Sequence, residues 1–330
     1  MKLNEKKLIQ IAEKINYAKT FAIFIHTSPD ADALGSASSL AMFLTKLGKT
    51  AHCFCETPDQ NLAFMCKDIF YSNELPLKTY DMSIALDCSA SDRLSIFLSW
   101  FKSQKNLICI DHHAKHTAFA NLEYVESEAS STCEIILKLM SILKGEISSK
   151  MATMLYCGLS ADTMSFKTTN VSLQTFKTAT KLVELGADVR IANDKLWNNL
   201  SNKEFEQLKY VLNNFKQKGN VAYSVIDKKF YKKYNLQSLT TNVSISMLMQ
   251  KEDVNIAFII REEQRGSFYL SMRSRIGFDC IKVVEAFGGG GHKQACGCQF
   301  ISTKKNKLNI QKIVNLVLNQ IEKIKNMQGL

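Results

Sequence analysis

Long hydrophobic runs, proline and a recognisable targeting segment are scarce or missing in this sequence. Its longest apolar stretches, such as FAIFI at 21–25 and IAFII at 256–260, fall far short of the ~18–20 residues that a membrane-spanning helix needs. Only 3 prolines and 14 glycines occur in 330 residues, which excludes collagen-like and proline-rich chains. The N-terminal segment MKLNEKKLIQIAEKI is charged and amphipathic, without the apolar core of a signal peptide. We therefore expect no association with a membrane.

Cysteine is also too sparse for a disulfide scaffold. The ten cysteines are spread over a long chain, and some, such as Cys109, stand inside apolar runs. The two C-x-C pairs, Cys53 with Cys55 and Cys296 with Cys298, lack a second half-site of the spacing that structural zinc requires. We expect buried thiols and a location in the reducing cytoplasm.

The order of apolar runs predicts an α/β protein. Strand-like runs alternate with helical patterns in the first half of the chain, which is typical of a parallel sheet with helices on both faces. The strand-like runs are FAIFI (21–25), KTAHCFC (49–55), MSIAL (82–86) and LICI (107–110). Two capping boxes, Ser131 with Glu134 and Ser201 with Glu204, predict the starts of two helices.

Charge and pattern both divide the chain. Residues 1–200 carry 21 basic and 21 acidic residues, whereas residues 201–330 carry 21 basic and 10 acidic ones, which is the whole net charge of +11. A solvated lysine-rich face explains this on charge alone, and binding of an anion is the alternative. We assign residues 1–187 to a catalytic domain, 188–219 to a linker helix and 220–330 to a smaller α/β substrate-binding domain.

Acidic residues and histidines follow the ends of the apolar runs. His26, Asp30 and Asp32 come after FAIFI, Asp87 after MSIAL, Asp111, His112 and His113 after LICI, and Asp162 after MLYCGLSA. Open α/β sheets bind ligands outside the carboxyl ends of their strands, so we expect these side chains to converge. Each alone has an ordinary explanation, as a turn residue, a helix cap or a core histidine. The joint pattern, which includes three of the six histidines of the chain, has no such ordinary explanation.

Such a cluster requires divalent cations or strongly shifted pKa values. Two unit charges ~4 Å apart repel by about 4 kcal/mol at an effective dielectric constant of ~20, and several such pairs would accumulate. A mixed set of imidazole and carboxylate ligands suits Mn²⁺ or a similar first-row ion. Two such ions would activate water for attack on phosphorus. The pattern therefore predicts a metal-dependent phosphoester hydrolase.

A second motif lies in the basic part of the chain. The segment FGGGGHKQACG (287–297) places four glycines before His292, and Arg273 stands upstream in a strand-like run. Consecutive glycines let backbone N–H groups approach an anion, and arginine binds phosphate or stacks on a base. A tight turn would explain the glycines equally well. Together with the positive charge, His292 and Arg273 favour binding of a phosphate or a nucleotide.

In combination these motifs resemble those of the DHH phosphoesterases. Four parts of this sequence resemble the four motifs of the family: HTSPDADALGS (26–36), Asp87, Asp111-His112-His113 and Ala161-Asp162-Thr163. The segment GGGGH (288–292) resembles the signature of the substrate domain that is associated with the family. The resemblance covers nearly the whole chain and is nearest to the nanoRNase (NrnA-type) branch. Members of that branch are oligoribonucleases that also dephosphorylate 3′-phosphoadenosine 5′-phosphate.

The resemblance implies a role for each matching residue. One divalent ion would be bound by His26, Asp30 and Asp87, and a second by Asp32, Asp87, His112 and Asp162, with Mn²⁺ as the preferred metal. Asp111 would orient His112, and His113 would contact the scissile phosphate. The nucleotide or its terminal phosphate would be held by Arg273, Gly289, Gly290, Gly291 and His292.

The chain departs from the usual pattern of the branch near the expected site. Lys115-His116 stand where Ser-Asn is usual, Met164 where Gly is usual, and Lys167-Thr168-Thr169 where Arg-Tyr-Ser is frequent. No expected metal ligand is lost, but the substrate preference is left open. We expect His116 to be an exposed loop residue rather than a metal ligand.

The resemblance implies an enzyme that degrades short oligoribonucleotides to nucleoside monophosphates and also acts on 3′-phosphoadenosine 5′-phosphate. One alternative is a stand-alone phosphodiesterase for cyclic di-AMP or pApA. Another, with less support, is a catalytically silent nucleotide sensor. The expected partners are short RNA or nucleotide bisphosphates; the sequence indicates no obligatory protein partner and is compatible with a homodimer.

Overall fold

The apolar runs in the first half of the chain form a parallel β-sheet in the computed structural model of the protein. The structure describes residues 3–235, 240–264, 266–303 and 306–329. Contacts divide the chain into two compact units, Met1–Asn199 and Leu200–Leu330. This division falls inside the predicted linker, residues 188–219, and the three-part division of the sequence stays a prediction.

The sheet of the first unit has six strands, all parallel. In chain order they are Thr20–Ile25 (β1), Thr50–Phe54 (β2), Phe70–Ser72 (β3), Met82–Leu86 (β4), Leu107–Asp111 (β5) and Leu122–Val125 (β6). Their order across the sheet is β3-β2-β1-β4-β5-β6, so the chain returns past β1 after β3. The four predicted strands are confirmed. The short, partly exposed β3 and β6 lack the continuous apolar run that identifies the others.

Helices cover both faces of this sheet, as predicted. They are Leu3–Tyr17 (α1), Ala31–Lys46 (α2), Leu98–Lys102 (α3), Thr132–Leu143 (α4), Ser149–Asp162 (α5), Leu173–Glu184 (α6) and Val189–Ala192 (α7). Successive strand residues point to opposite faces. Phe21 and Ile23 of β1 therefore pack with α1, α2, α4 and α5, whereas Phe24 packs with Phe97 and Phe101 on the other face.

The second unit contains a mixed sheet of order β11-β12-β10-β9-β8-β7. Its strands are Lys216–Lys218 (β7), Val221–Ile226 (β8), Ile256–Gln264 (β9), Ser267–Ser274 (β10), Gly290–His292 (β11) and Ala295–Ile301 (β12). Its helices are Asn202–Asn214 (α8), Lys228–Lys233 (α9), Asn242–Met249 (α10), Ile281–Glu285 (α11) and Ile310–Gln328 (α12). Helices α8, α9 and α10 pack around Ala257 and Ile259, and α11 and α12 pack on the opposite face around Phe258 and Ile260. None of the helices in the described ranges combines the length and the apolar character needed to cross a bilayer.

One of the two predicted capping boxes is complete. At the start of α8, Ser201 and Glu204 exchange both hydrogen bonds. At the start of α4, Ser131 accepts a hydrogen bond from the backbone N–H of Glu134 at 3.2 Å. The carboxylate of Glu134 accepts a hydrogen bond from the Ser130 hydroxyl at 2.9 Å instead of returning to Ser131. The second half of this box was wrongly predicted because a competing donor lies one residue upstream.

A glycine lets helix α5 approach helix α2 closely. A Cβ atom added to Gly158 would lie 2.3 Å from Cys133 Sγ and 3.0 Å from Asp32 Cα. The first of these atoms belongs to α4 and the second to α2. Three helices therefore meet at a point where only glycine fits, and this contact determines how close the ends of α2, α4 and α5 come.

The variant Gly158→Ala should destabilise the first unit. Overpacking of this kind costs about 1–3 kcal/mol, which would lower the melting temperature by roughly 2–10 °C in thermal unfolding followed by circular dichroism. The control is Gly290→Ala, whose Cβ would meet no heavy atom within 4 Å. A Gly158→Ala protein that melts with the wild type would contradict the close approach of these helices.

Candidate metal centre

The strand order reverses between β1 and β4, and a polar residue follows each of these strands at its carboxyl end. His26 follows β1 and Asp87 follows β4. His26 Nε2 lies 3.5 Å from Asp87 Oδ2 and 3.6 Å from Asp30 Oδ2. Asp87 has a φ of 57°, a left-handed conformation that Asp and Asn adopt more readily than other non-glycine residues. The reversal of strand order is the usual place of a ligand site in such sheets.

A second group lies beside the first and shares Asp87 with it. His112 Nε2 is 3.0 Å from Asp162 Oδ2 and 3.9 Å from Asp32 Oδ2. The same nitrogen is 3.5 Å from Asp87 Oδ1. Strand β5, helix α2 and helix α5 supply these residues from their ends. Asp87 thus directs one carboxylate oxygen at each group.

All six residues expected to be metal ligands belong to clusters that could hold an ion. The clusters are His26 with Asp30 and Asp87, Asp32 with His112 and Asp162, and Asp87 with His112 and His113. Two ligand atoms that each lie ~2.1 Å from one ion are roughly 3.0–3.5 Å apart when the ligand–ion–ligand angle is about 90–110°. Most of the nitrogen–oxygen distances are close to that range and too long for good hydrogen bonds. Nitrogen and oxygen donors together suit Mn²⁺ or a similar ion, so the residues fit the expected metals.

The N-terminus of helix α4 supports the most buried carboxylate of the cluster. Asp32 is fully buried, and its two oxygens accept hydrogen bonds from the backbone N–H groups of Thr132 at 2.7 Å and Cys133 at 2.9 Å. The Thr132 hydroxyl donates to Asp87 Oδ1 at 2.9 Å. A helix N-terminus favours negative charge, which explains why a buried carboxylate is tolerated there.

Asp30 combines a structural role with a place in the cluster. Its Oδ1 caps helix α2 by accepting hydrogen bonds from the backbone N–H groups of Asp32 and Ala33, both at 3.0 Å. Its Oδ2 faces His26. Capping of α2 by one oxygen therefore does not prevent the other oxygen of Asp30 from binding a metal ion.

Burial and neighbouring charge shift the pKa values of the cluster in opposite directions. Burial, and then the charge of Asp87, raise the pKa of Asp32 well above its usual range. Burial would also raise the pKa of Asp87, but His26 and His112 outweigh it and lower that pKa. Burial opposes a charge on His26, yet Asp30 and Asp87 raise its pKa to about 11. Protonated imidazole compensates the carboxylates here, and a divalent ion would supply the same compensation.

Asp111 contacts His113 and not His112, which corrects the expected role of Asp111. Its Oδ1 accepts a hydrogen bond from His113 Nδ1 at 2.7 Å. The Nδ1 atom of His112 lies 3.3 Å from the carbonyl oxygen of Ala129 instead. Side chains two residues apart on an extended segment point the same way, and the one between them points elsewhere.

His116 is not the exposed loop residue that the sequence suggested. Its side chain is only 9% exposed, and its Nδ1 donates to Asp111 Oδ2 at 2.7 Å. Its Nε2 lies 3.3 Å from Glu123 Oε2, and its ring stacks on Phe119. His116 belongs to none of the candidate metal clusters among the described residues.

Two further residues at the cluster were missed in the sequence. Thr132 is signalled only by its position after the capping residue Ser131, at a helix start whose direction the sequence does not reveal. Arg93 Nη2 lies 3.2 Å from His26 Nδ1. Arg93 stands in an irregular segment after β4, and no spacing in the sequence connects it with His26.

In the second unit, Arg273 lies on β10 without a carboxylate partner. Its guanidinium donates to Asn242 Oδ1 and to the carbonyl oxygen of Met272, both at 3.0 Å. Within the described ranges no carboxylate lies within 4.0 Å of it. Burial lowers the pKa of Arg273. A half-buried cation held by neutral groups suits an anionic ligand.

The glycine segment forms the edge strand of that sheet. Strand β11 pairs with β12, and Cβ atoms at Gly289 and Gly291 would lie 2.4 and 2.6 Å from backbone oxygens of β12. Close packing therefore requires these two glycines. At Gly290 a Cβ would meet nothing within 4 Å, so packing does not require a glycine there. The side chain of His292 lies outside the described part of the structure.

Two family models match most of the chain. The N-terminal domain of the DHH family matches residues 20–159, and the DHHA1 domain matches residues 218–323. A curated relative from Mycoplasma genitalium, named bifunctional oligoribonuclease and PAP phosphatase NrnA, is 29% identical over 303 residues. The alignment covers 89% of this chain and 93% of the relative.

Solved structures show the same fold. An exopolyphosphatase-related protein from Bacteroides fragilis is similar over 99% of this chain and 98% of its own, with a TM-score of 0.87 and 23% identity. RecJ from Thermus thermophilus, solved in complex with Mn²⁺, is similar over 96% of this chain and 55% of its own, with a TM-score of 0.60 and 13% identity.

The variant Asp87→Asn should lose the stabilisation that Mn²⁺ gives the wild type. Asparagine tolerates the left-handed conformation at this position but lacks the charge that both clusters share. At a Mn²⁺ concentration of 100 times Kd, the wild type should gain about 2.7 kcal/mol of unfolding free energy, measured as a rise in melting temperature.

The matched control is Asp59→Asn, which changes an exposed carboxylate of the same unit. It should keep the full response to Mn²⁺. A wild type that does not respond to Mn²⁺, or an Asp87→Asn protein with an undiminished response, would show that Asp87 holds no metal.

Proposed function

This chain belongs to the DHH family, and from that premise we propose that it is a metal-dependent phosphodiesterase that degrades short oligoribonucleotides to nucleoside monophosphates. We include the removal of phosphate from 3′-phosphoadenosine 5′-phosphate as a second activity of the same site. The observation that carries the proposal is the position of Asp87, whose two oxygens face two adjoining clusters of metal-ligand type. The relative from Mycoplasma genitalium, named for both activities, supports the substrate class.

Two divalent ions are the proposed cofactors, with Mn²⁺ preferred. One would be held by His26, Asp30 and Asp87, and the other by Asp32, Asp87, His112 and Asp162. When bound, such ions lower the pKa of a water ligand and neutralise phosphoryl oxygens. The imidazole and carboxylate donors favour this choice, and the related fold of RecJ was solved with Mn²⁺.

Residues of the chain itself would bind and orient the substrate. We assign contact with the scissile phosphate to His113, whose ring is oriented by its hydrogen bond to Asp111. Arg273, Gly289, Gly290, Gly291 and His292 would bind a phosphate or nucleotide of the substrate. The surplus of basic residues in 201–330 favours a polyanionic substrate in the same way. A cytoplasmic location suits these substrates and stays a prediction.

Purified wild-type protein with Mn²⁺ should release mononucleotides from an RNA dinucleotide. The same protein should dephosphorylate 3′-phosphoadenosine 5′-phosphate and turn over a 24-mer far more slowly, as measured by chromatography of the products. Chelation of the metal and Asp87→Asn should each abolish turnover, whereas Asp59→Asn should not change it. Turnover of cyclic di-AMP alone would assign the protein to a different phosphodiesterase class, and nucleotide binding without any turnover would make it a sensor.

The variant Arg273→Ala should chiefly raise KM for the dinucleotide. A hydrogen-bonded charge contact contributes about 1.5–3 kcal/mol, so KM should rise by roughly 10- to 150-fold while kcat changes little. The matched control is Arg275→Ala, because the hydrogen bonds that Arg275 donates within the described ranges go to backbone carbonyls near the end of α10. This substitution should lower stability rather than affinity. A loss of kcat at unchanged KM in Arg273→Ala would contradict this role.

A further inference from the structure

Two histidines share one buried carboxylate next to the metal clusters. Asp111 is fully buried, and its oxygens accept hydrogen bonds from His113 Nδ1 and His116 Nδ1, each at 2.7 Å. Each oxygen serves a different ring. A carboxylate bonded by one donor can still rotate about its side-chain bonds, whereas two donors on separate oxygens fix its plane.

The ring of His116 is itself held in place from two sides. Its Nε2 lies 3.3 Å from Glu123 Oε2, and the other oxygen of Glu123 accepts the backbone N–H groups of Phe119 at 2.6 Å and Ala120 at 2.8 Å. Phe119 stacks on the His116 ring and packs against the buried Phe101. His116 therefore has little freedom to leave Asp111.

The loop that carries His116 is also fixed to the segment that follows Asp87. The backbone N–H of Thr117 donates to the carbonyl oxygen of Ser89 at 2.8 Å. Ser89 stands two residues after Asp87, the residue shared by both metal clusters. His116 and His113 are thus both held near Asp87: the loop of His116 is bonded to Ser89, and His113 Nδ1 lies 3.7 Å from Asp87 Oδ1.

We propose that His116 is a positioning residue that acts through Asp111 on His113. By fixing the carboxylate, it holds the proton of His113 on Nδ1 and keeps the ring in one orientation toward the substrate. The inference rests on the proposed function, because only a reacting phosphate gives the orientation of His113 a consequence. Residues that orient the groups of an active site without touching the substrate commonly change activity by about 10- to 100-fold when removed.

The arrangement is particular to this chain. The resembling branch usually has Asn at the position of His116. The amide nitrogen of Asn occupies a place similar to that of imidazole Nδ1, so it can still donate to Asp111. It does not extend to Glu123, which the imidazole of His116 contacts with its second nitrogen. His116 therefore adds a connection from Asp111 to Glu123 on β6.

Three substitutions separate the two contacts of His116. In His116→Asn the amide nitrogen takes the place of Nδ1 and keeps the contact with Asp111. In His116→Gln the amide nitrogen takes the place of Nε2 and keeps only the contact with Glu123. The variant His116→Ala removes both contacts. With Mn²⁺ and an RNA dinucleotide, we expect His116→Ala and His116→Gln to lower kcat by about 10- to 100-fold with KM unchanged. We expect His116→Asn to stay within about threefold of the wild type.

A second readout does not depend on turnover. In Mg²⁺-loaded protein with ¹⁵N-labelled histidine, long-range ¹H–¹⁵N spectra report which nitrogen of each ring carries the proton. His113 should be protonated at Nδ1 in the wild type and in His116→Asn, and this preference should be lost in His116→Gln and His116→Ala. Melting temperatures close to that of the wild type show that the variants are folded.

The outcomes distinguish this inference from the proposed function. An active wild type with equally active His116→Ala, or with His116→Gln as active as His116→Asn, would overturn the positioning role and leave the function intact. A wild type inactive on every substrate would overturn the function. In that case the protonation of the His113 ring still tests the positioning role. If the proton of His113 stays on Nδ1 in His116→Ala, the positioning role is overturned as well.

Discussion

Repulsion among buried carboxylates is the constraint on which the rest of the candidate site depends. Five carboxylates meet at the carboxyl edge of one sheet, and the fold compensates the three that are buried, Asp32, Asp87 and Asp111, with hydrogen bonds. Asp32 accepts two N–H groups at the start of α4, and Asp87 accepts the hydroxyl of Thr132 between two imidazoles. Asp111 accepts two histidine rings. The close helix packing at Gly158 involves Cys133 and Asp32, at the starts of α4 and α2, and divalent ions would supply the remaining positive charge of the site.

The sequence predicts the sheet and the cluster because both follow from one repeated pattern. An apolar run followed by Asp or His marks the end of a strand, and the carboxyl ends of parallel strands share one edge. That pattern says nothing about side-chain direction, so it does not distinguish His112 from His113 as the partner of Asp111. The burial of His116 depends on Phe119, which lies in a loop, and on Glu123, which lies in a short strand, and neither segment has a strong pattern of its own. Side chains of this kind are placed by tertiary contacts, which composition and spacing do not encode.

In the second unit, too, the sequence shows a motif without showing what its residues contact. The four glycines before His292 read equally well as a tight turn or as an anion site. In the structure, close packing on β12 explains Gly289 and Gly291 but leaves Gly290 unexplained. Arg273 is similar, because an arginine in a strand is unremarkable until its surroundings are known. Asn242 and a backbone carbonyl hold it, and no carboxylate in the described ranges neutralises it.

The most direct test of the account is X-ray diffraction at the manganese absorption edge, from crystals of the protein grown with Mn²⁺. The central claim is that one carboxylate, Asp87, joins two metal sites. The account predicts two anomalous peaks, each within about 2.3 Å of an Asp87 oxygen. One peak should lie next to His26 and the other next to His112. A single peak, or two peaks that Asp87 does not touch, would contradict it.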